Sequence, residues 1–210
     1  MRKADIMASV YQEEQRTVLG FHGCDKELAI NILNNPKKHL TPSVNGYDWL
    51  GDGVYFWQND PIRAYEWAKQ RMHNPNSRIR EPFVIGAIIK LGLCLNLSER
   101  AATLSLRKSY DELVVDLEAA GLKIDEKYQN KKPDDGGFNL VRYLDCAVIN
   151  KLIGNAKDAG VCYDTVLGYF QEGEDAYPGA GMKVKTHIQI SVINPECIVG
   201  YFLPRMTSTN

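Results

Sequence analysis

The chain has 210 residues, a hydrophobic fraction of 44% and a formal net charge of −1 at pH 7. This length fits one domain with an ordinary core, and the composition excludes a disordered chain. Because 25 basic residues offset 26 acidic ones, the sequence gives no sign of a bulk attraction to nucleic acid or to anionic lipid.

The sequence also predicts where the protein works and how its thiols behave. Residues 1–16 lack the uninterrupted apolar segment of a secretory signal, and no window approaches the roughly 18 apolar residues that span a bilayer. The five cysteines are odd in number and contain no C-x-x-C pair, so neither a disulfide framework nor a zinc site is predicted. We therefore expect a cytoplasmic protein with buried thiols, no membrane segment and no metal.

The first elements along the chain are a strand and a helix. Residues 1–16 are polar and predict a short helix or a loose arm, and residues 17–23 predict a buried strand that ends at a glycine. Asp25 is a favourable N-cap for an amphipathic helix. The apolar positions of this helix are predicted to be Leu28, Ala29, Ile30, Ile32 and Leu33. Residues 36–50 contain two prolines and an Asn-Gly pair, and predict a loop.

A second strand and helix follow Gly51-Asp52-Gly53. The alternation in V-Y-F-W predicts a strand with Tyr55 and Trp57 on one face and Val54 and Phe56 on the other. Asp60 and Pro61 have the chemistry of an N-cap and a first helical position. The inward stripe of this helix is predicted to be Ile62, Tyr65 and Ala68, flanked by Ala64 and Trp67.

The rest of the chain predicts one more buried strand, a helical insertion and three final strands. Residues 82–91 form the most hydrophobic strand. The helical insertion, 97–155, holds helices at 98–121 and 140–153, with a charged surface segment at 123–137 between them. The final strands are predicted at 162–170, 185–193 and 197–203, and the last should pair antiparallel with its predecessor. The pattern as a whole predicts a single α+β domain over residues 1–210.

Two residues flanked by glycine are candidates for chemistry. His22 lies between Phe21 and Gly23 at a strand end, where glycine lets a ligand approach the backbone; taken alone, a structural histidine is the simpler explanation. Tyr55 could offer an aromatic face to a heterocycle, whereas core packing is the simpler explanation for its strand. The Gly-x-Gly before this strand is no dinucleotide-binding fingerprint, because it precedes the strand and lacks the third glycine.

The combination of these segments resembles a known superfamily. F-H-G-C-D-K-E-L-A-I-N-I-L is followed about thirty residues later by L-G-D-G-V-Y-F and then by a helix with A-Y-E-W-A. This order resembles the ADP-ribosyltransferases, in particular the diphtheria-toxin and poly(ADP-ribose)-polymerase branch and its small bacterial members. The resemblance covers about 50 residues and is supported again at 164–203. It implies a split β-sheet core with flanking helices and NAD bound across the cleft between the two halves.

The resemblance implies roles around NAD, position by position. His22 would hydrogen-bond the adenosine-side ribose, and Gly23 would hold the nicotinamide carboxamide through its backbone. Tyr55 would stack on the nicotinamide ring. Tyr65 lies one residue short of a second stacking tyrosine, and Arg63 occupies the position of a serine that assists the carboxamide.

The strand at 185–193 departs from the family pattern. H-I-Q-I-S-V places Gln189 where the family has its catalytic glutamate, with His187 on the same face. Loss of nicotinamide develops positive charge on the ribose, which a carboxylate stabilises and a carboxamide does not. In the family, loss of this glutamate accompanies transfer of single ADP-ribose units, and it also occurs in inactive members. A surface polar residue on an edge strand is the alternative for Gln189.

The loop Q-E-G-E-D-A-Y-P-G-A-G-M precedes this strand. In the family the corresponding loop contacts the acceptor, which implies an acceptor-facing role for Glu172, Glu174, Tyr177 and His187. Either glutamate could instead supply the missing carboxylate, and a solvated charged loop is the simpler explanation for both.

The sequence thus predicts a mono-ADP-ribosyltransferase that uses NAD as a substrate, needs no metal and modifies an unidentified protein or nucleic acid. An NAD glycohydrolase and an inactive module that binds NAD or ADP-ribose are the alternatives. A zinc site is not favoured, because ligand spacing is absent from the set His22, Cys24, Cys146 and Cys162.

Overall fold

The computed structural model describes residues 13–131 and 141–205. The helices are α1 (Lys26–Leu33), α2 (Pro61–Met72), α3 (Arg100–Ala119), α4 (Ile124–Lys127) and α5 (Tyr143–Asp158). The strands are β1 (Glu13–Asp25), β2 (Val54–Gln58), β3 (Pro82–Asn96), β4 (Asn130–Lys131), β5 (Val141–Arg142), β6 (Thr165–Phe170), β7 (His187–Val192) and β8 (Ile198–Phe202). Helices and a mixed sheet therefore confirm the α+β class predicted from the sequence.

Six of these strands form one sheet in the order β1-β2-β7-β6-β3-β8, and β1 also pairs with β3. Pairing therefore runs from β1 through β2, β7, β6 and β3 and back to β1. The long strand β3 closes this circuit. Most of it pairs with β1, and residues 94–96 pair with β6. Among the described strands of this sheet the β3–β6 pairing is parallel and the others are antiparallel, so the sheet is mostly antiparallel.

The predicted partner of the last strand is wrong. β8 pairs antiparallel with β3, from Gly86–Phe202 to Ile89–Ile198, and not with β7. The reason is that β7 lies between β2 and β6, so both of its hydrogen-bonding edges are occupied. A short 3₁₀ turn at Pro195–Cys197 separates β7 from β8, which adds β8 to the edge of the sheet.

Several predicted boundaries also shift. β1 begins at Glu13, inside the predicted arm 1–16, and residues 1–12 lie outside the described part of the chain. β3 continues past residue 91, since residues 94–96 pair with β6 after the left-handed Gly92. Within the predicted insertion 97–155 the helices begin at Arg100 and Tyr143, and residues 132–140 lie outside the description.

The inward faces of α1 and α2 differ from the predicted stripes. The buried positions are Ala29 and Ile32 on α1 and Ala64 and Ala68 on α2. Leu28, Ile30, Ile62 and Tyr65 are exposed instead. The cause on α2 is a close approach to β1: a Cβ atom on Gly23 would lie 2.2 Å from the carbonyl oxygen of Ala64. Only small residues fit at this contact, so the two alanines face the sheet.

The alternation predicted for β2 is confirmed. Val54 and Phe56 are buried in the main core with the β3 residues Ile85 and Ile89, whereas Tyr55 and Trp57 lie on the opposite face. In the described ranges no helix combines the length and the apolar composition needed to cross a membrane.

Replacing Gly23 by alanine should destabilise the domain, because the new Cβ would collide with a backbone carbonyl that no side-chain rotation can remove. We expect the free energy of unfolding to fall by about 1–3 kcal/mol in urea denaturation. Gly200→Ala in β8 is the matched control, since its added Cβ meets no atom within 4 Å. Equal stability of the two variants would contradict the close packing of α2 on β1.

Candidate functional site

A cavity of about 290 Å³ lies where β1 and β2 stop pairing. The ladder between these strands ends at Phe21–Trp57. His22, the next residue of β1, and Tyr55, two positions before Trp57 in β2, line the cavity. The remaining walls come from β7, from α2, from the loop between α1 and β2, and from Glu172 after β6.

His22 bridges the point at which the two strands separate. Its Nδ1–H donates to the carbonyl oxygen of Tyr55 at 2.8 Å, and its ring packs edge-on against Phe56 with centroids 5.8 Å apart. Burial lowers the pKa of His22, and the hydrogen bond to Tyr55 offsets part of that effect. The ring is therefore neutral near pH 7, and Nε2 carries a lone pair that can accept a hydrogen bond from a hydroxyl group.

Tyr55 presents its ring to the cavity and is fixed through its hydroxyl group. The hydroxyl oxygen accepts from the backbone N–H of Leu50 at 2.8 Å and donates to the carbonyl oxygen of Gly51 at 2.6 Å. Burial, and then the charge of Asp48, raise the pKa of Tyr55 above its usual value. The phenol therefore stays protonated and bonded to the backbone, which leaves a rigid aromatic face as its contribution to the cavity.

Gln189 reaches the same cavity from the middle of the sheet. It lies opposite Trp57 of β2 and Gly168 of β6, and only 9% of it is exposed. The alternative of a surface residue on an edge strand is therefore wrong. No described residue is a hydrogen-bond partner of its carboxamide, and such a group, nearly buried, offers its donors and acceptor to a ligand.

Arg63 and Glu172 form an ion pair on the cavity wall. Arg63 Nη2 lies 2.7 Å from Glu172 Oε2, and the two side chains are only 12% and 21% exposed. The guanidinium also lies 5.8 Å from the ring centroid of Trp57. The pair joins α2 to the segment after β6, so two residues that the sequence assigned to different roles meet at one place.

Four predicted site residues lie away from the cavity wall. Tyr65 is on the exposed side of α2, because the alanine contact with β1 turns it outward, and Trp67 and Gln70 face the cavity instead. Glu174 and Tyr177 are exposed on the segment between β6 and β7. Gly23 is buried beneath α2 and does not line the cavity, so close packing of the helix explains this glycine.

His187 is not open to a macromolecular acceptor, and that prediction is wrong. Its ring lies 6.4 Å from Trp49 and from Trp57 and 5.9 Å from Phe170, centroid to centroid, which buries the imidazole among three aromatic rings. Its Nδ1–H donates to the carbonyl oxygen of Lys185 at 2.7 Å. Burial lowers the pKa of His187, so this histidine is a neutral part of the wall behind the cavity.

Sequence reasoning missed the contribution of the loop between α1 and β2. This loop supplies Thr41, Ser43, Asn45, Tyr47, Asp48 and Trp49 to the wall. The carboxylate of Asp48 accepts from the backbone N–H of Asn45 at 3.2 Å, and burial raises the pKa of this carboxyl group. The sequence signal for this part of the wall is Y-D-W, in which a carboxylate stands between two aromatic residues just before the Gly-x-Gly.

The cysteines and possible metal ligands lie outside this arrangement. Cys24, Cys94, Cys146 and Cys197 are buried as predicted, and Cys162 is exposed. Burial raises the pKa of the Cys146 thiol to about 11, so that thiol is unreactive near neutral pH. Within residues 13–131 and 141–205, no group of three histidine, cysteine, aspartate or glutamate side chains is placed to hold a metal ion.

Comparisons with known proteins name no activity for the chain. No protein-family model matches it, and no solved structure matches it. The chain is similar to an uncharacterised protein of Methanocaldococcus jannaschii, with 25% identity over 198 residues. That alignment covers 85% of this chain and 83% of the archaeal protein.

The two buried histidines predict that stability depends on pH. Burial holds the pKa of His22 and His187 below the ordinary value in the folded protein. The unfolded chain takes up protons as the pH falls through about 6.5, and the folded chain does not. We therefore expect the free energy of unfolding to be highest above this pH and to decrease below it.

Urea denaturation at intervals between about pH 7.5 and pH 5 measures this slope. His22→Gln should flatten it, because the variant removes one of the two groups that resist protonation. His73→Gln at an exposed position is the control and should leave the slope as it is. The same slope in all three proteins would contradict the burial of a neutral His22.

Proposed function

We propose that the protein is an ADP-ribosyltransferase that cleaves the nicotinamide–ribose bond of NAD in this cavity and transfers a single ADP-ribose unit. The observation that carries the proposal is that His22, Tyr55 and Gln189 come from three strands and line one cavity. These are the positions that the resemblance assigned to NAD. The separation of β1 and β2 beyond Phe21–Trp57 supports a split sheet of the kind that the superfamily uses.

The chemistry of the walls suits the nicotinamide riboside half of NAD. Neutral His22 offers Nε2 to a ribose hydroxyl, and the fixed ring of Tyr55 offers an electron-rich face to the positively charged pyridinium ring. Arg71 on the same wall supplies a cation for the diphosphate. The cavity volume of about 290 Å³ is close to the lower limit for small-molecule sites, which fits one half of a dinucleotide.

The proposed reaction breaks the bond between ribose C1′ and the pyridinium nitrogen. The electron pair of that bond stays on the nitrogen, so nicotinamide leaves as a neutral molecule and the ribose becomes an oxocarbenium-like cation. An oxygen or nitrogen nucleophile of the acceptor then bonds to C1′ and releases its proton. Gln189 can orient a ribose hydroxyl in this step through hydrogen bonds and contributes no charge, which fits transfer of one unit without chain elongation.

The alternatives use the same cavity with a different outcome. Water as the nucleophile would make the protein an NAD glycohydrolase. A module that binds NAD or ADP-ribose without turnover is favoured by one observation, the neutral carboxamide at Gln189 where the superfamily places a carboxylate.

Incubation of the purified protein with radiolabelled NAD and a cell extract distinguishes these functions. We expect release of nicotinamide together with label on protein or nucleic acid in units of one ADP-ribose. Nicotinamide accompanied only by free ADP-ribose would indicate a glycohydrolase. Binding without nicotinamide release would indicate a binding module, and absence of binding would contradict all three functions.

His22→Ala should weaken NAD binding by about tenfold or more, because one hydrogen bond to a ribose hydroxyl is worth about 1–1.5 kcal/mol. Isothermal titration calorimetry measures the affinity. Circular dichroism checks the fold, since the variant also loses the contact with the Tyr55 carbonyl oxygen. His73→Ala is the control and should bind like the wild type. An unchanged affinity in the His22 variant would contradict its assigned contact.

A further inference from the structure

The cavity contains a carboxylate although its central strand does not provide one. Among the described residues, two acidic side chains line the wall, Asp48 and Glu172. Asp48 accepts from the backbone of its own loop, and its charge acts on Tyr55, whose hydroxyl group is bonded to Leu50 and Gly51. Glu172 approaches from the other side, after β6, where its Oε2 atom pairs with Arg63 and also lies 3.6 Å from Nδ1 of His187.

The position of Glu172 is fixed by the backbone as well as by Arg63. The Glu172 carbonyl oxygen accepts from Lys185 N–H at 3.0 Å, so residue 172 lies at the base of a paired segment between β6 and β7. The Glu174 carbonyl accepts from Val184 N–H at 3.0 Å, one step further out, where the Glu174 side chain is exposed. Two glutamates that the sequence could not distinguish therefore differ: one is on the cavity wall and the other faces solvent.

The ion pair leaves part of the carboxylate available. Oε2 of Glu172 is bonded to Arg63 Nη2, and no described residue hydrogen-bonds Oε1. Placing an ion pair where both side chains are mostly buried costs desolvation energy, so it adds little to stability. A carboxylate whose position is set before the ligand arrives can stabilise positive charge without the cost of reorganising in the transition state.

We propose that Glu172 is the carboxylate that stabilises the developing positive charge on the ribose as nicotinamide leaves, and that Arg63 is its positioning residue. The inference rests on the proposed function and deepens it. Glu172 supplies the negative charge, and Gln189 on β7 holds a ribose hydroxyl. In the superfamily both roles would belong to the single catalytic glutamate at the position of Gln189. The bond changes are those of the proposed reaction, and no further reactant is required.

The first test is Glu172→Gln, which keeps the size of the side chain and a hydrogen bond to Arg63 but removes the charge. We expect kcat for nicotinamide release to fall roughly 100-fold, with little change in KM, because the lost interaction acts mainly in the transition state. Glu174→Gln is the matched control and should retain the wild-type kcat. Arg63→Gln should also lower kcat, and Arg63→Lys should recover part of the loss by restoring a cation.

The second test moves the charge. Glu172→Gln combined with Gln189→Glu returns a carboxylate to β7 and should recover at least tenfold of the lost kcat. Gln189→Glu alone should bring no comparable gain, because it places two like charges in one cavity. The variant Arg63→Gln/Glu172→Gln removes both charges together, and it provides a folded protein if the single variant is destabilised by leaving the mostly buried Arg63 without its nearest carboxylate. Its kcat should remain low.

A binding measurement tests the charge without turnover. NAD carries a positive pyridinium ring and NADH does not, so Glu172→Gln should reduce the preference for NAD over NADH several-fold, whereas Glu174→Gln should not. Wild-type kcat and wild-type preference in the Glu172 variant would overturn this inference and leave the proposed function intact. Equal losses of kcat in the Glu172→Gln and Glu174→Gln variants would overturn it as well. So would a Glu172→Gln/Gln189→Glu variant that recovers none of the lost kcat. A wild-type protein that neither binds nor cleaves NAD would overturn both.

Discussion

The hydrogen bond from His22 to the Tyr55 carbonyl oxygen holds β1 and β2 together at the place where their ladder ends. If the ladder continued, backbone pairing would fill the space that the cavity occupies. Without this bond, no side-chain contact would join His22 of β1 to the backbone of Tyr55 in β2. This side-chain bond therefore joins the two strands where their backbone pairing has ended. The same bond selects the His22 tautomer, so the geometry of the gap and the chemistry of its wall have a common cause.

The second constraint is the closeness of α2 to β1. Gly23, Ala64 and Ala68 lack the side-chain volume that would push the helix away from the sheet. Because the helix lies so near, Arg63 reaches across to Glu172 and Trp67 reaches the cavity. The small residues thus act at a distance from any ligand. They set the position of a charged pair that larger residues at the contact would displace.

Local signals in the sequence were sufficient for the main helices and strands and for part of the candidate site. Asp25 and Asp60 cap their helices, with side chains accepting from Glu27 and Arg63 N–H as their positions predicted. The alternation of β2 predicted the correct face for Tyr55. The resemblance predicted that His22, Tyr55 and Gln189 lie around one cavity, as they do. These features depend on short stretches whose chemistry is visible in the sequence.

The remaining features depend on contacts between distant segments. Nothing in residues 61–72 reveals that β1 approaches the alanine side of α2, so the outward position of Tyr65 could not be read from periodicity. The partner of β8 depends on which strand edges are already occupied. The burial of His187 depends on aromatic rings supplied by Trp49, Trp57 and Phe170. The Arg63–Glu172 pair spans 109 positions in the chain, a separation at which charge pattern carries no information.

The route of the sheet has a consequence for how the protein is made. β1, β2 and β3 are all present once the first 96 residues have left the ribosome, but β2 pairs along one edge with β7, which begins at His187. Until that strand is synthesised, the backbone groups along this edge of β2 are unpaired. Long-range pairing of this kind forms slowly, because the entropy of closing a long chain segment is lost before the strand contacts stabilise the structure. The nascent chain therefore passes through a stage at which one edge of β2 is unpaired, and unpaired strand edges favour pairing with other chains.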